Sequence, residues 1–341
     1  MVLTLVAGVL PASAANNSSG INIPPRKNYT IKPGDTVTDK LIVGNLDSQE
    51  NLSLGIRMID FSYTDTSGTP KLYYGANTPQ TPWSLKPFAT IPSSLTVGPN
   101  KTEYLNISIK IPKGQGAGSY YGAIAYSAGG STANNSANVG LSATGVTLVF
   151  VSVPGTVNEN MTLQKFGAYM PNPNVANTGS FLKIAVDKPR EVAYQLLNSG
   201  NVAEQPVGTI ELRNMFGGKD IVIENANPFS SLALRGQSRL FQACIASDEK
   251  PVDLDGSVSK TVSCKDPKLM PGRYTMKLDL FYGQNGNQTH EITQVATFWY
   301  LPWWFIVTVV GGLAFIVGFV WWAKRKITAI VKGAQPKRFR R

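Results

Sequence analysis

Apolar and polar side chains follow a period of two through Val37–Val43, Thr102–Ile109 and, most strictly, Tyr274–Leu280. A period of two sends successive side chains to opposite faces of an extended chain, so each run predicts a half-buried β-strand. Turn residues separate the runs, as in Lys32-Pro33-Gly34-Asp35 and Gly98-Pro99-Asn100. Proline there fixes φ and glycine supplies the conformations a chain reversal needs. One segment breaks the alternation: from Trp303 to Trp322 twenty consecutive residues carry no charge. As a helix rising ~1.5 Å per residue it spans roughly 30 Å, one bilayer core, and it is apolar all round. It predicts a transmembrane helix over 303–322.

The strand pattern occurs twice. Val43-Gly44-Asn45, followed by a loop and Leu52-Ser53-Leu54-Gly55-Ile56, is echoed by Leu197-Asn198-Ser199-Gly200-Asn201, a loop and Gly208-Thr209-Ile210-Glu211-Leu212. Gly118-Ser119-Tyr120-Tyr121-Gly122 is echoed by Gly272-Arg273-Tyr274-Thr275-Met276. The two echoes have almost the same offset, 153 and 154 residues, which predicts two copies of one plan. Each copy reads as a sandwich of about seven strands, with the tyrosine of the Gly-x-Tyr turn capping a sheet end. The expected fold class is therefore all-β: two immunoglobulin-like β-sandwich domains, 15–154 and 155–297, followed by one C-terminal helix. Ser127 to Val139, small and uncharged, predicts a loop.

The two ends supply a topology. Val2 to Leu10 is apolar and Ala12-Ser13-Ala14 fits a signal-peptidase site, so residues 1–14 read as a signal peptide. Trp299, Trp303, Trp304, Trp321 and Trp322, five of the six tryptophans, flank the apolar helix where amphipathic rings favour the headgroup level. Eight of the formal +11 charges lie in the tail 323–341, beginning with Lys324, Arg325 and Lys326, which are candidates for anionic-lipid contact. The remainder carries only +3, so the high pI is local and no nucleic-acid partner is implied. A basic flank predicts a cytoplasmic C-terminus and the sandwiches outside the plasma membrane.

Candidate chemistry is sparse. There is one histidine, His290, and no acid or nucleophile at a recognisable spacing from it. Two cysteines and that histidine make no zinc pattern, so neither an enzyme nor a cofactor is expected. Cys244 and Cys264 lie in an extracytoplasmic segment and are a candidate disulfide. Within the Pro/Thr-rich stretch Leu72 to Pro92, Tyr73, Tyr74, Trp83 and Phe88 are candidate ligand-binding aromatics. Such rings stack on sugars or anchor a partner's side chain when exposed, and fold over the sandwich as a satellite cluster when not.

In this organisation, with the Lys32-Pro33-Gly34-Asp35 opening and the Gly118-Ser119-Tyr120-Tyr121-Gly122 turn, the chain resembles the WxL-interacting surface proteins of Gram-positive bacteria. The resemblance implies a peptidoglycan-associated first domain and a second domain that contacts other surface or host proteins. Two functional expectations follow. The first is presentation of both sandwiches for binding cell-wall polymer or surface proteins. The alternative is an envelope assembly or chaperone component that adds a partner's strand to an open sheet edge. An open edge beside a complementary surface would favour the second, a concave aromatic patch the first.

Overall fold

The computed structural model describes residues 20–63, 68–75, 80–128, 145–172, 174, 178–254, 257–283 and 289–333. The signal segment 1–14, residues 129–139 of the expected loop and the tail from 334 lie outside these. The chain divides between Asn158 and Glu159 into two compact β units.

The first unit holds β1 (Ile21–Asn22), β2 (Arg26–Thr30), β3 (Thr36–Asn45), β4 (Leu52–Tyr63), β5 (Pro70–Tyr73), β6 (Ala89–Thr90), β7 (Ser94–Val97), β8 (Thr102–Lys110), β9 (Gly118–Ala128) and β10 (Gly145–Val153). One sheet runs β1-β3-β8-β6 and the other β2-β10-β9-β4-β5, with β7 also on β4. The second unit holds β11 (Met161–Pro171), β12 (Gly179–Leu182), β13 (Ile184–Ala185), β14 (Glu191–Asn198), β15 (Val207–Asn214), β16 (Ile221–Ile223), β17 (Gln237–Cys244), the hairpin β18 (Ser247–Leu254) and β19 (Ser257–Cys264), β20 (Gly272–Tyr282) and β21 (His290–Tyr300). Its sheets run β12-β11-β14-β17 and β13-β21-β20-β15-β16. Both units are immunoglobulin-like sandwiches, and in both an early strand switches sheets to lie parallel to the last one, β2 on β10 and β13 on β21.

Alternation explains the cores. Leu105, Ile107 and Ile109 of β8 face Ile124, Tyr126, Val149 and Val151 from the opposite sheet in one core. Tyr274, Met276, Leu278 and Leu280 of β20 face Val192, Tyr194, Leu196 and Phe241 in the other. Burying a side chain of this size stabilises the fold by ~1.5–3 kcal/mol each.

The echoed residues occupy matching positions. Asn45 ends β3 and Asn198 ends β14, both buried. The Asn45 amide nitrogen donates to the carbonyls of Glu50, Val97 and Gly98, and that of Asn198 to the carbonyl of Ala233. Gly118 and Gly272 open β9 and β20 at φ +140° and +135°, a region side chains disfavour. Two residues on, the hydroxyl of Tyr120 donates to the carbonyl of Gly116 at 2.9 Å and that of Tyr274 to the carbonyl of Met270 at 3.1 Å. These are tyrosine corners, each tying a sheet end to the preceding loop.

After β21 comes α1 (Trp303–Gly333), of which Trp303–Ile327 has mean hydropathy 2.2 and is unburied. By length and composition it can cross a membrane.

Candidate functional site

The four candidate aromatics are wired into the first sandwich. Strand β4 pairs with β9 only as far as Ile59 opposite Ala123, and then turns away to pair with β5. Residues Trp83–Leu85 take the vacated place: the amide of Tyr121 donates to the Trp83 carbonyl at 2.9 Å, and the amide of Leu85 to the Tyr121 carbonyl at 3.2 Å. The hydroxyl of Ser84 donates to the buried Asp60 carboxylate at 2.6 Å. Trp83 therefore stacks on Tyr121 with ring centroids 5.7 Å apart, and Phe61 and Phe150 complete the cluster. Phe88 meets Tyr120 edge-on at 5.7 Å and packs on the first core. The Tyr73 hydroxyl is 2.7 Å from that of Ser62, and the Arg57 guanidinium sits 5.7 Å from the Tyr74 ring. Burial raises the Tyr74 phenol above its ordinary value. All four rings are half-buried, a satellite layer over the sheet and not a free platform.

The outer edge of β8 has a different character. Its partner on that side, β6, is two residues long and pairs only with Ser108 and Ile109. Chain direction explains the stop, because Pro92 follows Thr90 and Ile91, and a proline cannot donate to a ladder. On the other side β8 pairs with β3 from Lys110 to Thr102. In an antiparallel pair the backbone groups of successive residues point alternately to one neighbour and the other. The amide of Ile111 bonds to Asp35, and the Lys101 carbonyl accepts from Asn45, so the odd-numbered residues of β8 face β3. The amides and carbonyls of Thr102, Tyr104 and Asn106 thus point outward, where no strand pairs with them among the described residues.

Beside this edge, on the solvent face, Ile42 lies opposite Tyr104 in register, 50% and 57% exposed. Next along the same face is a trough of about 800 Å³, floored by Thr38, Lys40, Asn106 and Ser108 and rimmed by Thr90, Ile91 and Pro92. The sequence pattern marks Tyr104 and Asn106 as outward-facing, but nothing local shows the edge to be unpaired. The available sign was Ile91-Pro92, which ends β6. The last strand of the same unit is closed by comparison, since β2 covers β10 from Leu148 to Ser152. Strand β2 is fastened by Lys27 and Tyr29, which both donate to Asp39, at 3.1 and 2.7 Å. The hydrogen bond from Tyr29 is the main reason the Asp39 carboxyl lies below its ordinary range. The matching edge of the second unit, β17, also has no outer strand among the described residues, but no comparable exposed pair flanks it.

Elsewhere, Cys244 and Cys264 are bonded at the base of the β18–β19 hairpin. His290 stacks on Tyr282 at 4.9 Å and lies 3.4 Å from Glu159. Near them Glu204, 1% exposed, accepts from the amide of Gly283, while its Oε1 has no hydrogen-bond partner. Burial, with the Glu159 charge second, pushes its carboxyl up to about 8. Among the described residues no group of three or more His, Cys, Asp or Glu side chains is placed to hold a metal. On α1, Trp303, Trp304, Trp321 and Trp322 are all exposed, and Trp299 precedes them on β21. Lys324 follows in the last turns, the Arg325 guanidinium lies 4.6 Å from the Trp321 ring, and the Lys326 ammonium lies 5.8 Å from that of Trp322.

No family model matches the sequence, and no curated protein matches it. Among solved structures, a chain of a chaperone–tip adhesin complex for CFA/I fimbriae biogenesis is 10% identical, with a TM-score of 0.36 over 83% of this chain and 100% of that one. The class 5 fimbriae chaperone CfaA gives 11% and 0.35 over 81% and 98%. The Pseudomonas aeruginosa chaperone CupB2 gives 10% and 0.29 over 79% and 96%. At these scores the two-sandwich assignment rests on the strand pairing itself.

Proposed function

We propose that this is a non-enzymatic envelope protein, held by one C-terminal transmembrane helix, whose first sandwich receives an extended segment of a protein partner as an added strand beside β8. The observation that carries this is the outward row of Thr102, Tyr104 and Asn106 backbone groups, flanked by the exposed Ile42 and Tyr104 pair and the trough. An incoming strand would supply the ladder that β6 leaves unfinished, and its alternate side chains would fall on that apolar pair and into the trough. Main-chain bonding gives such a contact its affinity and the flanking surface its selectivity. Binding of wall polymer through Tyr73, Tyr74, Trp83 and Phe88 has less support, because each ring already spends a face or an edge on the sandwich or a neighbouring cation. The tail charges favour a cytoplasmic C-terminus and both sandwiches outside. In keeping with the resemblance to WxL-interacting proteins, the partner is a surface protein of the same envelope.

Asn106→Pro tests the edge. It removes an outward amide and leaves the β3 ladder intact, as prolines on sheet edges do. With a photo-crosslinking residue in place of Tyr104, cells should yield one crosslinked protein partner, and Asn106→Pro should abolish it without changing thermal unfolding of the ectodomain. An undiminished crosslink in the proline variant would refute strand addition at this edge.

A further inference from the structure

The second unit carries large apolar side chains at one end, and that end is where α1 begins. The amides of Trp299 and Leu301 donate to the carbonyls of Lys183 and Ala185, at 2.9 and 2.8 Å, so the sheet holds the chain as far as Leu301. The carbonyl of Pro302 already accepts from the amides of Phe305 and Ile306, the first turn of the helix. The last sheet bond and the first helical one therefore fall on consecutive residues. If Trp303–Trp322 fills the bilayer, the end of β21 has no linker with which to stand away from it.

Register places other residues at this level. Gly272 pairs with Tyr300, Asn214 pairs with Tyr274, and the amide of Met215 donates to the Arg273 carbonyl. The turn after β15 is fixed by the Asn214 side chain, which accepts from the amide of Phe216 at 2.9 Å, while the Phe216 ring lies over Gly272. Phe216 is nonetheless 69% exposed, with Met215, Met270, Ile184 and Val186 between 49% and 61%. Five such side chains at one end of a β unit, Met215 and Phe216 on a turn held in place, make a patch that water disfavours. Exposed cations surround it: Lys183, Lys219, Lys268 and Arg273. Of the acids nearby, Asp187 is exposed, whereas Asp220 is paired with Arg213 and Asp266 with Lys188.

We propose that this end of the second unit docks on the lipid headgroup layer of the membrane that α1 enters, with Phe216, Met215 and Met270 inserted beside Trp299 and Trp303 and the cations at phosphate level. Apolar tips ringed by Lys and Arg suit that interface, where burial of each ring adds to attraction by anionic lipid. The docking would fix the angle at which the second sandwich stands above the surface. It rests on the transmembrane reading of α1, and the test separates the two.

The only two cysteines are bonded to each other, so an introduced thiol can be labelled alone. Full-length Phe216→Cys, Phe229→Cys, Trp304→Cys and Phe315→Cys variants would carry an environment-sensitive dye in nanodiscs of phosphatidylcholine and phosphatidylglycerol, with nitroxide lipids as quenchers. Phe229 is 64% exposed but lies at the opposite end, where neighbouring Asn227 bonds to Pro206 at the start of β15. Phe315 is in mid-helix. The proposal expects quenching at 315 by deep nitroxides, at 216 by headgroup nitroxides to within about twofold of a probe at position 304, and none at 229. Quenching at 315 but not at 216 would overturn the docking and leave the span standing. No quenching at 315 would overturn both, and equal quenching at 216 and 229 would replace end-on docking with nonspecific adsorption.

Discussion

Glu204 should make the second unit less stable as pH rises through neutrality. Its carboxyl is 1% exposed, receives one hydrogen bond, from the Gly283 amide, and lies near the charge of Glu159. Burial raises it from an ordinary 4.5 to about 8. The sign follows from linkage: a carboxyl that binds its proton more tightly when folded stabilises the fold fully below its unfolded value, and that contribution is lost as pH climbs to the folded value. At about 1.4 kcal/mol for each tenfold gain in proton affinity, a rise of this size sets a ceiling of ~5 kcal/mol. Relaxation and water entry around a buried charge bring the expected loss between pH 4.5 and 9 to ~2–3 kcal/mol. Glu204→Gln preserves the shape and an acceptor for Gly283 and turns its amide donors toward Glu159, so its stability should fall much less over this range, with only the smaller contribution of the half-buried Glu191 carboxyl left. It should exceed wild type by ~2 kcal/mol at pH 9 and fall level with it or below near pH 5. Denaturant unfolding of residues 20–301 in a Trp83→Phe background leaves Trp299 as the reporter of the second unit. A wild type as stable at pH 9 as at pH 5, or a glutamine variant with the same slope, would refute the reasoning.

Reducing the Cys244–Cys264 bond, which closes a loop of 20 residues, should cost the second unit ~3 kcal/mol and leave the Trp83 signal of the first unit unchanged. Tyr120→Phe and Tyr274→Phe each remove a corner hydroxyl and should each cost ~1–2 kcal/mol in their own unit, read as separate shifts of the two unfolding transitions.

The parts of this molecule visible in its sequence are those set by local chemistry. Period-two runs became β3, β8 and β20, because alternation is a property of neighbouring residues. Asn45 and Asn198, and Gly118 and Gly272, could be matched across the chain because each serves its own turn, capping loop carbonyls or adopting positive φ. The apolar helix was evident from composition alone. The candidate site was not, since it depends on which strands fail to meet. Trp83 looks like a loop residue in sequence; its stacking on Tyr121 follows from β4 leaving β9 after Ile59, an event with no local signature. The open edge of β8 depends equally on a long-range fact, the departure of β6 at Pro92. Phe216 and Met270 are 54 positions apart, and only the pairing of β15 with β20 brings their turns to one end.

The central claim concerns three backbone amides, and hydrogen exchange reads them one by one. In the free ectodomain, Thr102, Tyr104 and Asn106 should exchange rapidly, while Leu105 and Ile107, bonded to β3, should be slow. In wild-type protein isolated from its own envelope with its partner in place, those three amides should slow by a factor of ~10² or more, and Leu105 and Ile107 should hardly change. Fast exchange at Thr102, Tyr104 and Asn106 in the complex, with new protection elsewhere, would contradict strand addition at β8.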